Sequence, residues 1–217
     1  MIINITNGEF YNKYFEEQTK FKGIPFNEVM MSGPAVFPIF TKEFIENRSK
    51  YHSVSNNEYI KKMEGIINLK NIVNEIDTIN LFFGNDTYCV INLLTVLAYL
   101  EELKYKGVVT LNTIDDYSFK TLESGIDITL GIYSDLYKSI VINKEKPTNF
   151  GVLNARAIDL YFDFLDDDGY LARIVKENIN KSIDDLVVLL LDASMEYGLS
   201  DLLILELINR VKENNYL

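Results

Sequence analysis

Three carboxylates stand where extended apolar runs give way to turns. Ile2, Ile3 and Ile5 lead into Asn7-Gly8-Glu9, a short stretch ending at Phe26 leads into Asn27-Glu28, and Leu81-Phe82-Phe83 leads into Gly84-Asn85-Asp86. If these runs are parallel strands of one sheet, their ends share an edge, and Glu9, Glu28 and Asp86 become candidate catalytic groups. Carboxylates held together repel, so at least one pKa rises unless a cation lies between them. Two chemistries follow. A divalent metal would suit the carboxylate and amide oxygens collected there, or one carboxyl would stay protonated and act as a general acid. A fourth strand end, Asp115-Asp116, adds two more acids, for which a plain turn is the better account.

Candidate ligand-binding residues surround these acids. Asn7, Gly8, Asn27 and Asn85 belong to the same turns. Tyr88 and Asn92 are four apart and share one face of the helix that follows Asp86. A buried amide must find a partner, so Asn92 either lines a pocket with Tyr88 or bonds neighbouring backbone. Gly33-Pro34 marks a turn in a proline-rich loop of the kind that covers a site or simply crosses over. Arg48, the first of four arginines, would neutralise the acidic edge or grip a phosphate bidentately. Asp86 also fits as a plain helix cap and Glu9 as a first-turn acid. His52 reads as a solvated helix-end residue and Cys89 as a small core residue.

The elements that would position these groups follow from periodicity and caps. Strands are expected at 2–6, 23–26, 78–83 and 108–111, with an edge strand at 125–130. Helices are expected at 10–18, 42–50, 56–67, 87–105 and 133–142. Thr41, the box Ser55-Glu58 and Asp86 serve as helix starts, and Gly107 is expected to end the fourth helix. Residues 27–38 read as an irregular loop, since three of the four prolines, Pro25, Pro34 and Pro38, fall within fourteen residues there. Beyond Asn154 the pattern is helical throughout, with Asn154, Ser182 and Ser200 as caps. Alternation of strand and helix over the first 115 residues predicts an α/β fold with a mainly parallel sheet and helices on both faces. A small helical subdomain follows, with domains at 1–148 and 149–217 and residues 144–153 as the linker.

Composition narrows the function classes. The 217 residues are 47% apolar with a formal charge of -11, and no Lys/Arg block is present, so direct nucleic-acid binding is not expected. Residues 151–217 hold 13 acids and 6 bases, which sets the tail apart as a contact surface or dimer face. The single cysteine excludes an internal disulfide and fits a reducing compartment. No signal peptide or membrane span is visible, so a cytoplasmic protein without membrane association is expected. Dinucleotide and P-loop glycine signatures and the G-x-S-x-G elbow are absent.

Three blocks together resemble an uncharacterised bacterial family of bacilli and clostridia. Its N-terminal domain is of unknown function, and some of its members are labelled AraC-type regulators. Ile5-Thr6-Asn7-Gly8-Glu9 is similar to a family Gly-acid block. Pro25-Phe26-Asn27-Glu28 with Gly33-Pro34 is similar to an aromatic-acid…Gly-Pro block. Leu81-Phe82-Phe83-Gly84-Asn85-Asp86, followed by Cys89 and Asn92, looks like the family's Leu-Trp-Phe-Gly-x-Asp. Arg48 sits where a family arginine is expected. The chain departs by Glu9 for Asp and Phe82 for Trp. The resemblance covers residues 1–115 and implies no known activity. The regulator label finds no support in basic recognition helices, which are absent here.

The sequence therefore points to an enzyme that binds a small phosphate-bearing or nucleotide-like substrate at an acidic strand-end site, with or without a divalent metal. The alternative is a non-enzymatic regulatory or interaction module that dimerises or meets a partner protein through its helical tail.

Overall fold

Alternating β-branched residues in the first half of the chain build a five-stranded sheet in the computed structural model, which describes residues 1–115 and 117–215. In chain order the elements are β1 (Ile2–Thr6), α1 (Glu9–Thr19), β2 (Ile24–Pro25), α2 (Lys42–Tyr51), α3 (Asn56–Lys62), α4 (Glu64–Ile67), α5 (Leu69–Ile72), β3 (Thr78–Gly84), α6 (Thr87–Glu102), β4 (Val108–Ile114), β5 (Thr121–Asp127) and α7 (Tyr133–Tyr137). Then come α8 (Ala155–Leu165), α9 (Tyr170–Glu177), α10 (Ile183–Ala193) and α11 (Asp201–Asn215). Strand order is β2-β1-β3-β4-β5. β1 runs parallel to β2 and β3, β3 runs parallel to β4, and β5 closes the edge antiparallel. The chain thus leaves β1 in one direction and returns to its other side, which places a topological switch point between β1 and β3.

The two sheet faces are unequal. Ile5, Ile79, Leu81, Phe83, Val109 and Leu111 are buried in the large core. The opposite face carries a small cluster in which Tyr11 and Phe15 of α1 meet Ile114 and Phe82. Beyond α1 this second face mixes a polar network with the exposed Ile2 and Val108. The Asn80 amide donates to Asn4 Oδ1 (3.0 Å) and Thr110 donates to Asn80 Oδ1 (2.8 Å). Helices lie on both faces, but the cover on the second is thin.

α6 organises the main core. Every residue from Cys89 to Leu100 is buried, as expected of a helix that is apolar all round. It packs on β3 and against α7 and α8. Buried residues of the C-terminal helices, among them Ile158, Tyr161, Leu171, Leu186 and Ile204, join the same apolar cluster as the sheet.

Several expectations change in detail. The helix expected at 56–67 breaks into α3 and α4 at Met63, and the chain continues as α5 after Asn68. α6 ends at Glu102, and the chain turns through Lys104 in left-handed conformation (φ 56°), not through Gly107. Gly107 serves close packing instead, because a Cβ there would lie 2.4 Å from the Asp77 carbonyl oxygen. The edge strand lies at Thr121–Asp127, four residues earlier than expected at its start. A turn held by Asp115, whose carboxylate accepts the Ser118 amide at 2.7 Å, launches it early. Asp116 lies outside the described residues. α9 follows the Asp166–Gly169 turn directly, a helix hidden by the acids before it.

Candidate functional site

Ligands in open α/β sheets bind outside the carboxyl ends of the strands at a switch point. Here β1 and β3 are in register from Ile2↔Thr78 to Thr6↔Phe82, and the Asn7 amide extends the ladder by donating to the Phe82 carbonyl at 3.0 Å. Gly8 then turns the chain with φ 85° and ψ 163°, a region open essentially to glycine alone. α1 starts on it without a side-chain cap, and a Cβ at Gly8 would meet nothing within 4 Å. The space beside Gly8 is therefore open, and no side chain caps the first turn of α1. Glu9 is exposed in that first turn and accepts from Asn27 Nδ2 at 3.4 Å.

On the β3 side, Asp86 caps α6 by accepting the Cys89 amide at 2.7 Å. Its carboxyl is closely packed by Gly198, where a Cβ would come within 2.4 Å of it. The C-terminal helices thus seat on the switch point. Asn154 Nδ2 donates to the Asn85 carbonyl (3.1 Å) and Thr87 Oγ1 donates to the Ala157 carbonyl (3.1 Å). A cavity of about 270 Å³ remains between them, lined by Asn85, Asp86, Asn154, Arg156, Leu160 and Glu196 among others. A larger one, about 480 Å³, lies away from the strand ends on the thinly covered face, against Asn4, Phe15, Phe21 and Phe82.

Glu28 occupies a different environment. Its side chain is fully buried, as is that of Arg48. Arg48 Nη2 donates to Glu28 Oε1 (2.6 Å) and to the Val29 carbonyl (2.9 Å), while Nη1 donates to the carbonyls of Ser32 (2.7 Å) and Pro34 (3.2 Å). His52 Nε2 lies 2.6 Å from the same Glu28 oxygen, and the Tyr59 hydroxyl donates to the other. Burial alone would raise the Glu28 pKa. The hydrogen bond from His52 and the charge and hydrogen bond of Arg48 outweigh it and hold the carboxyl well below the usual carboxylate range. Tyr59 moves the opposite way, raised by burial and by the adjacent Glu28 charge. Of the two roles open to Arg48, neutralising an acid is the one the structure shows.

Asn92 and Tyr88 complete this arrangement. Asn92 Nδ2 donates to the Glu28 carbonyl (2.8 Å) and to Asn7 Oδ1 (3.0 Å), and its Oδ1 accepts the Met30 amide (3.0 Å). The Tyr88 hydroxyl donates to the Glu28 carbonyl at 3.0 Å, and burial pushes its pKa up to about 12. Gly33 is pressed on Tyr51 and Arg48, since a Cβ there would lie 2.7 Å from the Tyr51 ring. Glu28, Gly33, Arg48, Tyr88 and Asn92 thus form one buried polar staple. It fixes the loop at 27–34 to α2 and α6, with Asn7 as its link to the switch point. Asn7 also donates through Nδ2 to Cys89 Sγ at 2.8 Å. Gly8, Glu9 and Asn27 border a mouth at the start of α1, while Asn85 and Asp86 line the cavity of about 270 Å³.

The acids do not converge as a metal site. Among the described residues no group of three His, Cys, Asp or Glu side chains could hold a metal ion. Sequence reasoning left out the staple's other members. His52 is paired rather than solvated, and the only early signal for it was its spacing of four from Arg48 on one helix face. Tyr59, Ser32 and Tyr51 carried no local signal. Glu206 of α11 accepts from both Ser32 Oγ and the Tyr51 hydroxyl, the latter at 2.9 Å, a contact across more than 150 residues. No family model, curated protein or solved structure matches this chain.

Proposed function

We propose that the protein binds a small phosphate-bearing ligand at the switch point, its anionic end over Gly8 and its remaining polar groups against Asn27, Asn85 and Asp86. The observation that carries this reading is the start of α1. It lies at the switch point, begins on a glycine in glycine-only geometry beside which the space is open, and has no side-chain cap. Unsatisfied amides and the helix dipole together favour an anion at such a position. The residues involved come from all three blocks of the proposed family resemblance. The staple secures the loop at 27–34 and supplies no group to the ligand. No metal enters this reading.

Inorganic phosphate, ribose 5-phosphate and adenosine monophosphate, each titrated against the melting temperature, test it. Binding to the native state alone raises Tm with ligand concentration. The proposal expects such a rise, larger for the organic phosphates than for inorganic phosphate, and smaller in Phe10→Glu, which adds a charge beside the mouth. Unchanged melting with all three, or a rise that Phe10→Glu leaves intact, would refute it.

A further inference from the structure

The cavity of about 480 Å³ on the thinly covered sheet face has the size and the lining of a small-molecule site, with apolar walls and a few placed polar groups. Parallel sheets are ordinarily covered on both faces, yet Ile2 of β1 is 64% exposed here and Phe21 is 67% exposed. Phe15 of α1 meets Phe82 of β3 with ring centroids 4.7 Å apart, and Ile2 and Phe21 add to this apolar wall. Local bonds hold the segment that carries Phe21. The chain leaves α1 through Lys20 in left-handed conformation (φ 63°), the Phe21 amide donates to Thr19 Oγ1 (3.1 Å), and the Lys22 carbonyl accepts from Asn4 Nδ2 (3.2 Å). A segment already fixed in this way meets a ligand at little further cost in ordering.

The polar groups of the cavity have a direction. The Lys22 carbonyl can only accept, so Asn4 turns its nitrogen to it and its oxygen to Asn80. Asn80 then donates to Asn4 Oδ1 at 3.0 Å and accepts from Thr110 Oγ1 at 2.8 Å. Both amide oxygens already accept a bond. Each amide nitrogen keeps a second hydrogen, for which the described residues supply no acceptor. These groups therefore favour a ligand that brings an acceptor. Charge narrows the choice further. The charged side chain of the lining, Lys22, is already paired with Glu16 at 2.8 Å. The carbonyl end of α1, which carries partial negative charge, lies at the same place, because Thr19 also lines the cavity. An anion would find no unmatched positive charge there. We propose that this cavity binds a flat, uncharged aromatic molecule with a carbonyl oxygen on its edge, the ring against Phe15, Phe21 and Phe82 and the oxygen on the amides of Asn4 and Asn80. The site stands at the opposite end of α1 from Gly8 and is independent of the phosphate ligand.

Coumarin, indole and naphthoate are the probes. The first is a neutral ring system with a lactone carbonyl, the second has an N–H donor and no acceptor oxygen, and the third is an anion. Titrated into the isotope-labelled full chain and followed by nuclear magnetic resonance, coumarin should shift the side-chain amide signals of Asn4 and Asn80. It should bind about two- to tenfold more tightly than indole, the worth of one hydrogen bond, and more tightly than naphthoate. Phe21→Ser changes an exposed position and should weaken coumarin by about two- to tenfold. Asn80→Asp puts an acceptor where the donor was and should reverse the preference, with indole then the tighter ligand. Melting temperatures close to that of wild type show that both variants are folded. If Asn80→Asp does not fold, Phe21→Ser and the amide signals of the wild type decide. Unmoved Asn4 and Asn80 signals would overturn the proposal. So would equal binding of coumarin and indole, coumarin binding that Phe21→Ser leaves intact, or an unreversed preference in folded Asn80→Asp. A wild-type dimer in analytical ultracentrifugation that Phe21→Ser abolishes would also overturn it, assigning this face to a second copy.

Discussion

Glu28 and Glu9 end neighbouring strands of one sheet, yet they live in opposite surroundings. Glu28 is enclosed, paired with Arg48, and bonded by His52 and Tyr59. Glu9 is exposed on a helix start that no side chain caps. The polar groups gathered at Glu28 hold a loop in place, while the helix start beside Glu9 carries no side-chain cap. The contrast teaches that carboxylates with the same topological address divide by burial. The enclosed one is tied into the fold, and the open one borders the site proposed for binding.

The largest effect that would break this division comes from Arg48. Removing one partner of a buried ion pair leaves an uncompensated charge, so Arg48→Met should cost about 3–5 kcal/mol in urea unfolding. Adding Glu28→Gln to it should recover part of that loss, because the stranded charge is gone. A double variant no better than Arg48→Met would mean that Glu28 is not the charge Arg48 serves. Next in size, Tyr59→Phe removes a hydrogen bond to an ionised group and should lower stability by about 1.5–3 kcal/mol, with no change in phosphate affinity.

Acid titration sharpens the same comparison. The folded-state pKa of Glu28 is depressed, so its contribution is present above the ordinary glutamate value and is lost as pH falls through the lowered folded value. Glu28→Gln should flatten that acid limb of the stability curve. Glu102 carries the opposite sign. Burial pushes its carboxyl up to about 7 while the Ile39 amide donates to both of its oxygens at 3.0 and 3.1 Å. The native state then binds more protons than the unfolded one between the ordinary glutamate pKa and about 7, so stability declines as pH rises across that window. Glu102→Gln should remove this decline in melting temperatures followed from pH 4 to 8. The smallest effects belong to the mouth. One charge about 6 Å away in water changes anion affinity by about threefold, so Glu9→Gln should tighten phosphate binding by that factor and Phe10→Glu should loosen it, as measured by calorimetry.

The parts of this molecule that sequence makes legible are the local ones. Thr41 accepts the Phe44 amide, Ser55 and Glu58 form a reciprocal capping box, and Asp86 caps α6, each set by residues three apart. The apolar runs that became β1, β3 and β4 were also plain, and with them the shared edge. What stayed hidden depends on distance and on direction. Glu28 meets Arg48, His52 and Tyr59 across 20, 24 and 31 residues. It does so from an irregular loop whose side chains follow no period, so nothing local says that its carboxylate turns inward while that of Glu9 turns out. The bare second face of the sheet was equally hidden, since Asn4, Asn80 and Thr110 satisfy one another only after three strands are aligned.

The central claim is that the two regions act separately, and a crossed melting experiment tests it most directly. Tyr59→Phe and Phe10→Glu are melted with and without ribose 5-phosphate. The account predicts that Tyr59→Phe melts lower than wild type but keeps the full ligand-induced rise, whereas Phe10→Glu melts close to wild type and shows a diminished rise. A diminished rise in Tyr59→Phe together with a full rise in Phe10→Glu would contradict it and move the binding site to the buried staple.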